Sequence, residues 1–546
     1  MFYTAICLCV LAQVAALNPI PEAEQLLMTR AEVWAESSLA DVFGDIAYVY
    51  GVFGADDEAS RLAGRCVKRD DTDRAIARLA EVKAHRGRFA EALEDCARLP
   101  ESSDVRYQIA LQQVRRGDVA RAMKTLDTIA SPEFQCSSRL RIARELTQRG
   151  YLDEARYQLR LGMSRKREFW KSWDYPTAWR ESVAALGNEE QLKQLMKALE
   201  QDRVRQNYAW MPAISGLLAE RGLITESVKC VDSCDADWVR RAALLACGTA
   251  VVKSDEVTRL NEFFQMSGGD AVDDPWQDEL RFMAIERACA GDRCGEALSL
   301  LQEIKVYEFR VRGIIAISRF ELHSTAFRDQ GLARLVALKK SLMEGNQLEE
   351  FPGRRPELLA LLSSTMFACG QTALASETAR SAADELEKLD ANVSLWAFPW
   401  KEVADCQMLV GDKPAARRVL TLTMKRDQAL AKRGSLMWEF EYADYPRIAS
   451  RLVWLGDLQA ACEFTKEATG EGREGLQRAM WNSIGTALAS QQSPEQMVRW
   501  IEAEVPAQYR STTLLAIVKS RPEFAGRNPL RTDSRDPRWP PVGGAM

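Results

Sequence analysis

The sequence predicts an all-α chain, a solenoid of about eleven stacked helix-turn-helix units. Three observations carry that prediction. Apolar residues recur at helical spacing in stretches separated by short breaks, and no stretch shows the two-residue alternation of a strand. Most breaks hold a glycine, and these glycines recur about every 37 residues between Gly87 and Gly456. Small side chains stand at fixed distances on both sides of them.

The chain opens on Phe2–Leu17, the only sustained apolar run. It is shorter than the roughly 20 residues of a spanning helix, and Val14-Ala15-Ala16 has the small side chains of a cleavage site. Residues 1–17 therefore read as a signal peptide, although no Lys or Arg precedes the run, and they imply export to a periplasmic or extracellular space. Without such processing the chain would be cytoplasmic. Its 13 cysteines suit that second reading equally. Eleven would remain after cleavage, an odd number with no disulfide spacing, and many lie in Ala-rich helical stretches where Cys acts as a small hydrophobe. Residues 18–70 read as helices preceding and capping the array.

The array occupies 71–520. Its breaks carry Gly87, Gly117, Gly150, Gly187, Gly222, Gly291, Gly331, Gly370, Gly411 and Gly456, with a further break near Ser254. Counting each glycine as zero, alanine recurs at −7 and +5: Ala80/Gly87/Ala92, Ala110/Gly117/Ala122, Ala143/Gly150/Ala155, Ala404/Gly411/Ala416 and Ala449/Gly456/Ala461. Ser215/Gly222/Ser227 and Ser363/Gly370/Ala375 keep the small size. Position −8 is apolar in all seven units: Leu79, Ile109, Ile142, Ile214, Leu362, Val403 and Ile448. Glycine ends the first helix in the left-handed conformation. The small residues then let two antiparallel helices approach closely, and the apolar neighbour fills the groove beside them. The unit at Gly187 lacks both small residues, Ala297 sits one position late after Gly291, and Gln491-Gln492 stand where the last glycine is expected. Ser267–Pro275, acidic and glycine-bearing, reads as a seam between sub-arrays 71–266 and 267–520. Residues 521–546 have Pro, Gly and Arg without apolar periodicity and read as a disordered tail.

The small residue, turn glycine and alanine at these separations resemble the tetratricopeptide repeat, whose units run to about 34 residues. Asp118, Asp412 and Asp457 after the glycine add to the resemblance, as do Met211, Trp400 and Tyr445 eleven residues before it. It spans about residues 70–515 and is strongest at 76–160 and 395–470. It implies a right-handed superhelix whose concave face, lined by first helices, holds an extended segment or helix of a protein partner.

Charge and motifs narrow the chemistry. Lys+Arg 73 against Asp+Glu 78 leaves a net charge of −5, no field to gather nucleic acid or anionic lipid. The basic Arg165-Lys166-Arg167 is short and followed by Glu168, so no nucleic-acid partner is expected. With only two histidines, His85 and His323, a multi-histidine metal site or a histidine relay is nearly excluded, although a single-histidine triad is not. His85 suits a helix C-terminus and His323 an apolar helix. Cys230/Cys234 and Cys289/Cys294 lack ligand spacing, and Asp270, Asp273, Asp274, Asp278 and Glu279 do not follow a calcium-loop pattern. Phosphate-cradling glycine motifs and other catalytic signatures are absent. No cofactor and no integral membrane segment is expected.

Aromatic clusters followed by proline open four first helices, at Trp173–Pro176, Tyr208–Pro212, Trp396–Pro399 and Tyr442–Pro446. Packing between repeats is one role for them, and gripping a ligand on the inner face is the other. The expected function is non-enzymatic protein–protein interaction or scaffolding, with Trp173, Trp210, Trp396 and Trp438 as anchors. The alternative is a closed α/α-ring enzyme that cleaves glycosides with paired carboxylates, beginning with Asp174 and Asp444.

Overall fold

A computed structural model describes residues 20–527, apart from 37, 39–41, 165–209, 233–236, 254–256, 268–274, 346, 349–352, 390–398, 433–437 and 469–472. The described residues form 27 α-helices and no strand. They pack as successive antiparallel hairpins, an all-α solenoid.

The turn between the two helices of a hairpin is built the same way again and again. Gly54, Gly87, Gly117, Gly150, Gly222, Gly370, Gly411 and Gly456 have φ between 78° and 96°. Each glycine N–H reaches back to a carbonyl three residues earlier, as Gly87 does to Ala84 at 2.9 Å. The next N–H reaches the carbonyl at −4: Arg88 to Lys83 at 3.0 Å, Asp118 to Gln113 and Asp457 to Leu452 at 2.9 Å. Two orphan carbonyls of the first helix are thereby satisfied, in the double bond of a Schellman ending. Where aspartate follows the glycine it starts the second helix. Asp118, Asp412 and Asp457 accept from the N–H groups of Arg121, Ala415 and Ala460 at 3.3, 3.0 and 3.3 Å.

The ten alanines at −7 and +5 (Ala80, Ala92, Ala110, Ala122, Ala143, Ala155, Ala404, Ala416, Ala449 and Ala461) have no accessible surface. The serine versions add a hydrogen bond across the same contact. Ser227 Oγ donates to the Ser215 carbonyl at 2.7 Å, and Ser363 Oγ donates to that of Ala375 at 2.8 Å. One turn away, positions −4 and +8 face each other with changing chemistry: Lys83 with Asp95 at 2.6 Å, Gln113 with Thr125 at 2.9 Å, Met366 with Thr378 at 3.6 Å.

Four features differ from the sequence reading. Helices Phe43–Phe53 and Asp56–Ala63 are no preceding cap but a full repeat, with Ile46, Ala47, Gly54 and Ala59 at −8, −7, 0 and +5. At Gly291 the left-handed residue is Asp292, φ 61°. Arg293 N–H bonds the Ala288 carbonyl at 2.9 Å, so the count begins at Asp292 and Ala297 falls on +5. Aspartate is among the few non-glycine residues that take this conformation. Gly331 ends no helix. It lies inside Arg328–Glu344, where a Cβ would stand 2.9 Å from the Ser318 carbonyl oxygen and 2.9 Å from Glu321 Cβ, so its small size serves a close helix crossing. The first residues of the expected tail are folded: Pro522–Arg527 is helical, and Phe524 is buried edge-on against Tyr48 and Phe53. Gly187, Ser254 and the seam at 268–274 lie outside the described residues.

The chain divides into two compact units, residues 1–135 with 429–546, and residues 136–428. In the first, helices Trp438–Trp454, Glu474–Leu488 and Ala507–Ser520 stack side by side, as do Phe43–Phe53, Arg69–His85 and Ser103–Arg115. Helix Glu22–Ala35 lies between Ala507–Ser520 and Phe43–Phe53. In the second, a continuous core runs from Ala219 to Ile317 with Phe263, Phe264 and Trp276 packed ring to ring. There the Asp278 carboxylate accepts from the Lys305 and Val306 N–H groups at 2.8 and 2.6 Å and pairs with Arg281, which fixes the entry to helix Tyr307–His323.

Candidate functional site

Stacking fixes which side chains remain outside. Positions −8 and −7 of a first helix are buried, so −9 and −6 flank the contact and open outward. In the first unit these are Asp45, Arg78 and Glu81, Gln108 and Leu111, and Arg447 and Ser450, whereas Tyr48, at −6 of its repeat, is covered by Phe524. In the second they include Arg141 and Arg144, Leu361 and Ser364, and Glu402 and Asp405.

In the first unit the row is electrostatically linked. Lys519 Nζ and Arg78 Nη1 approach the same Asp45 oxygen at 3.0 and 2.7 Å, and the Arg78 guanidinium lies 5.7 Å from the Tyr48 ring centroid. Burial pushes the Asp45 carboxyl upward, but the two cations outweigh it and hold the group below its ordinary value. Next along, Glu81 has no such support. Burial first, and then the Asp104 carboxylate on the neighbouring first helix, raise it to about 7, against a smaller lowering by Arg78. His85, one turn further, is held below its ordinary value by burial and by Arg115 and Arg116, and lies 3.2 Å from Gln112 Nε2.

A second recurring link joins one repeat to the next. The arginine before the turn glycine reaches the helix end of the preceding repeat: Arg86 Nη2 donates to the Val52 carbonyl and Arg116 Nη2 to that of His85, both at 2.6 Å. Cations belong at helix C-termini, where carbonyls are left over.

Of the expected anchors, Trp173 and Trp396 lie outside the described residues, and Trp210 and Trp438 are described only as helical backbone. Asp174 also lies outside them. Asp444 is half-buried and pairs with Arg447 at 3.5 Å. Arg165–Arg167, Asp270–Asp274 and Cys234 are likewise outside. His323 Nδ1 donates to the Arg319 carbonyl at 2.7 Å. Burial pushes the Cys96, Cys247, Cys406 and Cys462 thiols up to about 11, and Cys289 to about 12 with Cys294 and Glu321 adding. Such thiols are poor nucleophiles. Among the described residues no three His, Cys, Asp or Glu side chains are grouped to hold a metal, and no helix is long and apolar enough to cross a membrane. The charged row went unread in the sequence. Its signal is the pair of positions, −9 and −6, next to those that fixed the repeat.

No protein-family model matches the chain, and no curated protein matches it. Among solved structures it is similar, at 12% identity, to a circular tandem repeat protein with novel repeat topology and enhanced subunit contact surfaces. The match covers 92% of this chain and 98% of that one with a TM-score of 0.14, too low to bear on its geometry. The helices and their packing define this protein as a helical tandem repeat protein.

Proposed function

We propose that the chain is a non-enzymatic scaffold of the tetratricopeptide type, which binds a protein partner along the outward positions of its first helices. The observation that supports this most is the row Lys519, Asp45, Arg78 and Glu81. Lys519, Asp45 and Arg78 alternate in sign, are fixed by neighbouring repeats and stay partly open to solvent, and Glu81 adds a negative charge as pH rises through about 7. An extended segment or helix carrying charges of alternating sign complements such a row, and charge pattern rather than area sets its specificity. Trp173, Trp210 and Trp396 of the aromatic-proline segments, together with Trp438, supply anchors in this reading.

The test is affinity capture with the full chain from its native cell, repeated with Asp45→Lys/Arg78→Glu and with all four tryptophans replaced by Ala. The reading requires a partner lost by the charge-reversed variant at unchanged helical circular dichroism. Capture unaffected by either set of changes refutes it. Export through residues 1–17 belongs to the same proposal, and sequencing the mature N-terminus tests it: a start at Met1 rules out processing.

A further inference from the structure

The two ends of the chain build one hairpin. Among the described residues, helix Ala507–Ser520 is followed in sequence only by Pro522–Arg527, a turn and a half. Its partner is helix Glu22–Ala35, from the other end of the chain. Ser511 Oγ donates to the Ala31 carbonyl at 2.9 Å, and both residues have no accessible surface. That bond reproduces the one between Ser363 and Ala375 in a continuous hairpin. Where most of the described hairpins have a glycine turn, this one has an ion pair, Arg521 Nε to the buried Glu24 carboxylate at 2.5 Å. Leu27 and Met28 are fully buried in the joint, and Ser38 Oγ donates to the Gln508 carbonyl at 3.3 Å.

A continuous hairpin is held by its turn. This one has no turn and is held by side-chain packing and side-chain bonds across the joint, and residues 36–42 connect its second helix to helix Phe43–Phe53. Every contact in the joint is between parts of the chain far apart in sequence, so it is made identically whether the two helices come from one molecule or two. What favours the same molecule is the tether, which holds the segment at an effective concentration on the order of millimolar. Remove that advantage and a second copy supplies the segment with no new contact to invent.

We propose that residues 20–36 are an exchangeable element: the groove on helix Ala507–Ser520 that they fill also accepts the same segment from a second copy of this chain, giving a helix-exchanged dimer. The balance between the two states lies in connection 36–42, since a linker too short to span its ends removes the advantage of the same molecule while its segment still fits a neighbour.

Deleting residues 37–41 from the full chain tests this by light scattering. The folded variant should double in mass where the parent chain, at the same concentration, does not. A folded deletion variant with the parent's mass overturns the proposal. If the deletion prevents folding, a second experiment decides. Two differently tagged full-length copies, one carrying Ala31→Cys and the other Ser511→Cys, are mixed, opened in intermediate urea, returned to buffer and oxidised. A 31–511 cross-link between the tags, mapped by mass spectrometry and at least about tenfold above the unopened mixture, supports exchange. A chain carrying both cysteines is the control for the joint itself. Cross-linking within that chain but none between the tagged copies overturns exchange, and no cross-link in either overturns the composite hairpin.

Discussion

Gly87 and Gly456 share a left-handed backbone, φ 85° and 84°, and both lie in the first unit, but only one has a neighbour. A Cβ on Gly456 would meet nothing within 4 Å, whereas on Gly87 it would stand 2.7 Å from Arg116 Nη1 and 2.9 Å from Cζ. Replacing Gly456 with Ala therefore adds the left-handed penalty alone, about 1–2 kcal/mol. The stiffer unfolded chain offsets about 0.4–1 kcal/mol of it. Gly87→Ala carries the same net cost and also displaces the guanidinium from the His85 carbonyl, an exposed charged bond worth about 0.5–1 kcal/mol more. Because arrays of repeats need not unfold all at once, the assay should be local. Native-state hydrogen exchange of the amides in 79–92 and 448–461 reads each hairpin separately. In an Arg116→Ala background the Gly87→Ala cost should shrink to that of Gly456→Ala. If Gly87→Ala costs the same with and without Arg116, the arginine does not join the repeats and the argument fails.

Further outcomes follow from burial and charge. Ala416, with no accessible surface, should tolerate no larger side chain: Ala416→Leu overpacks the hairpin by about 1–3 kcal/mol, visible as a lower urea midpoint. Glu81, raised from 4.5 to about 7, is bound to its proton more tightly in the folded state than in the unfolded. It contributes no penalty below about pH 4.5, where both states are protonated, and a growing one as pH rises towards 7. Glu81→Gln should therefore leave stability unchanged at pH 4 and raise it by about 1–3 kcal/mol at pH 8, measured by denaturant titration at each pH. Cys96, Cys247, Cys289, Cys406 and Cys462 should resist a thiol reagent at pH 8 until denaturant is added, and rapid native labelling at these five would contradict the packing given to them.

The repeat was legible because steric demands are local and leave a residue-type signature. Only glycine passes easily through φ near 85°, and only small side chains fit between two helices in contact, so Gly87, Ala80 and Ala92 write the geometry into the sequence. The signature misled where chemistry had a substitute. Asp292 takes the left-handed turn beside an uninvolved Gly291, and Gly331 marks a helix crossing because smallness, not backbone freedom, was wanted there. Ile46, Ala47, Gly54 and Ala59 carried the full pattern within a stretch that the sequence reading assigned to a cap. Ser511 and Ala31 were beyond reach, because nothing local relates residues 480 positions apart. The charged row was hidden for a different reason. Outward positions admit any side chain, so no single unit marks them, and Lys519 reaches Asp45 only through that same joint between the ends.

That joint also changes what the ends of the array must be. A stack of repeats whose stability is a sum over neighbouring contacts ordinarily needs terminal helices with one polar face, since the last helix has no neighbour to cover it. Here helix Glu22–Ala35 does expose Glu22, Gln25, Thr29 and Arg30 on one face, but its other face is covered by the opposite terminal helix. Leu27, Met28, Ala31, Trp34 and Ala35 are buried on that helix, and Leu514, Leu515, Ile517 and Val518 on Ala507–Ser520. Each is the other's neighbour, and Phe524 fills the remaining space against Tyr48 and Phe53. Cutting either helix away would then expose apolar surface on its partner, at about 25 cal/mol for each Å² uncovered, and cutting away Ala507–Ser520 would also remove the lysine that holds Asp45 and Arg78 in their row. The outward charge pattern of the first unit and the pairing of the chain's ends are consequently one structural problem, and a change at Lys519 or Arg521 acts on both.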